Sequence, residues 1–207
     1  MTENQPPRGH TAADPADPAL AAAVLEVESH VAENGWDQPG RLFALVPTQL
    51  IVAQQPDVAA AMGIPDDLGP DALTPVEQDQ LPADVAVEQV LEQIEWPDPV
   101  VGAVVVIERL VLPPGADAEL PEDAGEAARY AAEHPERQEV RMVAGATRSG
   151  STFCALRLRA HDDPTSVVDG TDLVPGLLAV LAATLDVEPA GSGTTTPFDP
   201  DQTEPTP

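Results

Sequence analysis

The chain contains no lysine, and Cys154 is its only cysteine. Each absence removes a class of chemistry. Without lysine there is no Schiff-base nucleophile and no P-loop lysine to meet a nucleotide phosphate. One cysteine excludes an internal disulfide framework and a four-cysteine zinc site. Long apolar runs are also missing: the most hydrophobic stretch, Val100 to Leu112, is too short to span a bilayer and contains Glu108 and Arg109. The opening MTENQPPRGH has no apolar core, so no signal peptide is expected, and a cytoplasmic location is. No G-x-G-x-x-G, P-loop, G-x-S-x-G, H-E-x-x-H or cysteine pair occurs. With no such motif, no enzyme class is suggested and no cofactor is expected.

Positive charge is scarce. Nine arginines face 36 carboxylates over 207 residues, a formal net charge of −27. That balance opposes binding to nucleic acid and to anionic lipid, so its natural partner would be basic, or none; the partner expected is a protein. The 36 carboxylates also make any acid–base pairing too easy to find to be informative. The arginines are unevenly placed: six of the nine lie between Arg129 and Arg159, and none lies between Arg41 and Arg109. The middle of the chain should therefore present a negative surface, opposite in sign to the stretch that follows it.

That stretch, Gln138 to His161, reads as a β-hairpin. Val140, Met142, Ala144 and Ala146 alternate with polar or small residues, as do Cys154, Leu156 and Leu158 beyond the turn. A two-residue turn would set Met142 opposite Arg157 and mix the faces. A three-residue loop, Arg148-Ser149-Gly150, sets Val140, Met142 and Ala144 opposite Leu158, Leu156 and Cys154, and it needs glycine where φ is positive. The same register puts Glu139 opposite Arg159 and Arg141 opposite Arg157. The second pair repels unless an acid or a bound anion lies between. Two readings of these arginines stand: they offset nearby carboxylates on a solvated sheet face, or Arg141, Arg148, Arg157 and Arg159 are candidate binding residues for an acidic partner or a small anion. Cys154, on the apolar parity, is expected to be a buried structural thiol.

Elsewhere, Asp17-Pro18 starts a helix with Leu20, Val24, Val27 and Val31 as its buried stripe, ending at Asn34-Gly35. Glu26 and His30 stand at metal-chelating spacing but lack a third ligand nearby, so no metal site is expected. RLFALV, Arg41 to Val46, is strand-like. Short helices are expected from Thr48 to Gln54 and from Pro56 to Met62. One helical turn is expected at Thr74 to Glu77, which has capping-box spacing, and a longer helix from Ala83 to Glu95. Val100 to Leu112 begins apolar at both parities, as in a central strand. Residues 113–137 form an acidic insertion with a helix from about Glu122 to His134. Asp162-Asp163-Pro164 and Asp169-Gly170 read as turns, and Leu173 to Leu185 as a final helix.

These elements make one α+β domain over residues 17–186, with disordered tails at 1–16 and 187–207. The expected architecture is a mainly antiparallel sheet of about four strands with helices packed on one face. The other face would be partly open around the arginines. A ligand pocket near Trp36 and Trp96 is an alternative expectation, for a small-molecule sensor.

WDQPGRLFALVPTQLIVAQQPDVA (Trp36 to Ala59), EWPDPVVGAVVVIERLVLPP (Glu95 to Pro114), HPERQEVRMVAGATRSG (His134 to Gly150), CALRLRAHDD (Cys154 to Asp163) and DLVPGLLAVLAATL (Asp172 to Leu185) together resemble an uncharacterised actinobacterial family of acidic single-domain proteins. The resemblance covers about Ala19 to Val187 and implies no activity. The helix–meander–helix layout also looks like the type III secretion chaperone-like fold, whose members often serve as binding scaffolds; that is an analogy of fold alone. The resulting functional expectation is a non-enzymatic adaptor.

Overall fold

The computed structural model describes residues 17–185, apart from 62, 66, 67, 80, 83, 84 and 114. The expected tails, 1–16 and 187–207, lie outside the described residues, as do Met62 and Ala83, the expected ends of two helices.

The centre is a six-stranded antiparallel sheet in the order β2-β1-β3-β4-β5-β6. Its strands are β1 (Arg41–Pro47), β2 (Leu73–Glu77), β3 (Gly102–Val111), β4 (Gln138–Thr147), β5 (Thr152–Leu158) and β6 (Val168–Gly170). The helices are α1 (Pro18–Ala32), α2 (Thr48–Gln54), α3 (Pro56–Ala61), α4 (Val87–Leu91), α5 (Ala124–Glu133) and α6 (Pro175–Leu185).

β3 explains the layering. Ala103, Val105 and Ile107 pack with Leu91 of α4 and with Leu177, Leu178, Leu181 and Leu185 of α6. Val104 and Val106 point the other way, against Leu20, Val24, Val27 and Val31 of α1. A strand apolar at both parities requires cover on both faces. The expectation of helices on one face is therefore corrected: the sheet is a middle layer, with α1 on one side and α4 and α6 on the other. α1 also covers the face expected to be open around the arginines.

The expected strand count of about four is corrected by two edge strands. β2 occupies the stretch expected as a helical turn, and it pairs Thr74 with Val46 and Pro75 with Leu45. Proline is tolerated there because an edge strand leaves one row of backbone groups without a neighbour. β6, expected as a turn, pairs Gly170 with Cys154 and Val168 with Leu156. Among the described residues, the helix expected from Ala83 to Glu95 is regular only over α4. Beyond it Gln93 and Ile94 donate to Val90 and Leu91, a tighter i to i−3 pattern. The chain then delivers Trp96 into the core, where its Nε1 donates to Thr184 Oγ1 at 2.8 Å.

The hairpin has the expected register: Val140 faces Leu158, Met142 faces Leu156 and Ala144 faces Cys154. Its loop closes with Gly150 at φ +87. β3 and β4 pair along their whole length, from Gly102 with Thr147 to Val111 with Gln138. Residues 113–137 are thus a long hairpin connection, and α5 within it buries no residue. At Gly145 of β4 α1 lies directly on the sheet: an added Cβ would meet Val24 Cγ2 at 2.5 Å.

Candidate functional site

The arginine register sorts the candidate residues. Arg141 and Arg157 share a parity with Val143, Ala155 and Phe153, so they point to the α1 side. There both are buried, at 0% and 4% exposure. They stand opposite one another across β4 and β5, and each has its own acid. Arg157 donates from Nε and Nη2 to Glu28 of α1 at 2.6 and 2.7 Å, and from Nη1 to Asp162 at 3.3 Å. Arg141 donates to Glu108 Oε1 at 3.2 and 2.9 Å and to the Gly35 carbonyl. Its remaining Nη1 has no partner among the described residues. The indole of Trp36 lies 4.4 Å from the Arg141 guanidinium and fixes itself by donating to Asp162 at 2.9 Å. The acids that relieve the Arg141–Arg157 repulsion therefore belong to the protein itself. The bidentate bond from Glu28 is the main reason the Arg157 pKa is raised.

Arg148 is spent differently. From the hairpin loop it donates to the carbonyls of Val100 at 2.8 Å, Leu185 at 2.5 Å and Trp96 at 3.2 Å. It gathers the start of β3 and the end of α6 onto the turn. Arg159 is the most exposed of the four, at 40% for its side chain. It clamps Asp37 with two 2.8 Å bonds and reaches Glu139 at 2.6 Å, as the register implied. Those bonds hold the Asp37 carboxyl below its usual value. Asp37 has φ +63, the only described non-glycine residue with positive φ, and its amide donates to Glu108 at 2.7 Å. The Gly35–Asp37 turn is thus tied to β3, β4 and the end of β5.

The structure does not bring the four arginines together as one surface. It does gather an exposed basic group nearby. Arg137, Arg159 and His161, with Glu139, line an open cleft of about 370 Å³ beside the start of β4. Arg137 is exposed and has no carboxylate partner among the described residues; its side chain donates there only to the His134 carbonyl, at 3.5 Å. Trp36 and Trp96 lie on opposite sides of the sheet, so they share no pocket. Cys154 is buried, and that burial pushes its thiol up.

Sequence reasoning missed Glu28, Trp36, Asp37 and Glu108 as partners. Glu28 had a signal: it follows Leu20 and Val24 at steps of four, an acid on an otherwise apolar stripe. An acid there calls for a cation beneath it, and Arg157 supplies one.

A family model described as PPA1309-like protein matches residues 20–186. The chain belongs to that family. No curated protein matches it, and no solved structure does either, so the analogy to a secretion-chaperone fold gains no support.

Proposed function

We propose that this member of the PPA1309-like family is a non-catalytic cytoplasmic adaptor that holds a partner protein through the exposed remainder of its hairpin's basic face. The wider reading of the family, as acidic single-domain proteins of actinobacteria, belongs to the same proposal. The contact is Arg159 at the rim of the cleft with Arg137 and His161 beside it; Arg141 and Arg157 lie buried on the α1 side of the sheet, and Arg148, at the far end of the hairpin, takes no part in it. The observation that carries the reading is local. In a chain with net charge −27, Arg137 is an exposed cation without an acid partner among the described residues, and it lines an open cleft with two other basic side chains and Glu139. An acidic peptide segment fits that chemistry, because arginine binds carboxylate through a planar fork.

The test is a pull-down with the tagged full chain from its native host, at low and at high salt, repeated with Arg137→Glu/His161→Glu. A stoichiometric partner lost at high salt and lost to the double variant is expected. A partner retained equally by the variant sinks the reading.

A further inference from the structure

The side of the molecule around α2 and α3 carries the opposite chemistry. Two clefts, of about 290 and 200 Å³, lie between α1, α2 and residues 63–65, 68–69 and 72–75. They share Thr48, Pro65 and Leu68 and form one shallow groove. Leu68 and Val52 are 45% and 43% exposed and together line the smaller cleft, so their apolar surface is paired and not scattered. On the floor the two hydroxyls, Thr48 and Thr74, are buried and bonded to each other at 2.8 Å. They have little left to orient a polar small molecule. Glu26 lines the groove, and Asp71, the residue before Ala72 of its wall, is exposed; neither makes an ion pair among the described residues. No basic residue occurs in the sequence between Arg41 and Arg109.

We propose that this groove docks a basic amphipathic helix of a partner protein. Its apolar face would lie on Val52 and Leu68, and its arginines or lysines would face Glu26 and the negative field of this side of the molecule. Charge decides among occupants. A second copy of this chain would bring the same negative field, and an anionic lipid surface would be repelled. An uncharged apolar segment would leave Glu26 unmatched. The groove is independent of the basic cleft by Arg137, and the two would give the protein contacts of opposite sign.

The probe is a fluorescein-labelled peptide with leucines at i, i+3, i+4 and i+7 and arginines on its other face. Binding to the full chain is read by anisotropy at about 150 mM salt, where long-range attraction is largely screened. Two control peptides replace the arginines by glutamate or the leucines by serine. Expected are binding of the first peptide alone and a loss of about tenfold or more in affinity with Val52→Ser/Leu68→Ser. Leu110→Ser/Val168→Ser, which alters exposed apolar positions elsewhere, should leave affinity unchanged. Circular dichroism checks that both variants stay folded, and Leu68→Ala, expected to lose severalfold, serves if the double variant does not. The proposal is overturned if the serine peptide binds as tightly as the leucine peptide, since that is ion exchange with an acidic protein. It is also overturned if the glutamate peptide binds as well, if the groove variants bind like wild type, or if no peptide binds.

Discussion

The two sides of the sheet solve the same packing problem with different chemistry. On the α4 and α6 side, Leu91, Trp96, Val105, Cys154 and Leu181 make a continuous apolar core. On the α1 side the apolar core extends from Leu20 to Val31, but Glu28 sits within it, ion-paired to Arg157, and Arg141 lies beside Arg157 in the sheet. The difference teaches that a dense run of charge in a sequence need not be a surface. Strand parity and the helix above decide whether it is used inside the molecule. An apolar layer tolerates small changes gradually, whereas a buried ion pair fails abruptly when one member is removed.

Four substitutions sharpen or break this contrast. Glu28→Ala should have the largest effect, a loss of about 3–5 kcal/mol, because it leaves Arg157 charged and buried with only the half-exposed Asp162 beside it. Urea unfolding measures it, and Glu28→Leu/Arg157→Leu should recover most of the loss. If the single variant loses under about 1 kcal/mol, the pair does not hold α1 down.

On the opposite side, Leu181→Ala should cost about 2–5 kcal/mol by opening a cavity against the sheet, read by the same unfolding curves. A far smaller loss would mean that α6 collapses onto the gap, and that this layer is looser than its packing implies. Gly145→Ala tests the α1 side without touching a charge. Its methyl group would collide with Val24, so α1 must shift, at about 1–3 kcal/mol. A neutral result in thermal unfolding would show that α1 has slack over the sheet.

The smallest effect should come from Asp37→Asn, which keeps a residue that accepts positive φ while removing the charge. Arg159 holds the Asp37 carboxyl below its ordinary 3.8. A lowered folded-state pKa contributes stability that is full above the unfolded value and is lost as pH falls through the folded value. The urea midpoint of wild type should therefore exceed that of the variant at neutral pH, and the gap should close below 3.8. A gap that persists in acid would show that the turn is held by backbone contacts and not by the Arg159 clamp.

Much of the fold was legible because local rules operate at close range. Asp17-Pro18 starts α1 as expected, with the Asp17 side chain accepting from the Leu20 amide at 3.0 Å. Gly150 fixes the hairpin loop, and alternation fixes its register. The edge strands were not legible: β2 has a helix-capping pattern and a proline, and β6 has three residues with turn-like sequence. Each exists because a neighbouring strand offers unpaired backbone groups, and nothing within either segment records that neighbour. The candidate site divides the same way. Alternation identified which arginines face each other, but the acids between them come from positions 28 and 108, far away in sequence.

By itself the sequence determined the periods: which residues alternate, where helices begin, which turn needs glycine, and that the middle of the chain is acidic while the hairpin is basic. Those features depend on interactions a few residues apart. Only the tertiary structure decided that α1 crosses the arginine side of the hairpin. The reason lies in β3, whose two apolar parities both need cover, so that one helix had to go to each side. Once α1 lay there, Arg141 and Arg157 lost their water and took carboxylates from α1 and β3, and Arg137, Arg159 and His161 remained outside.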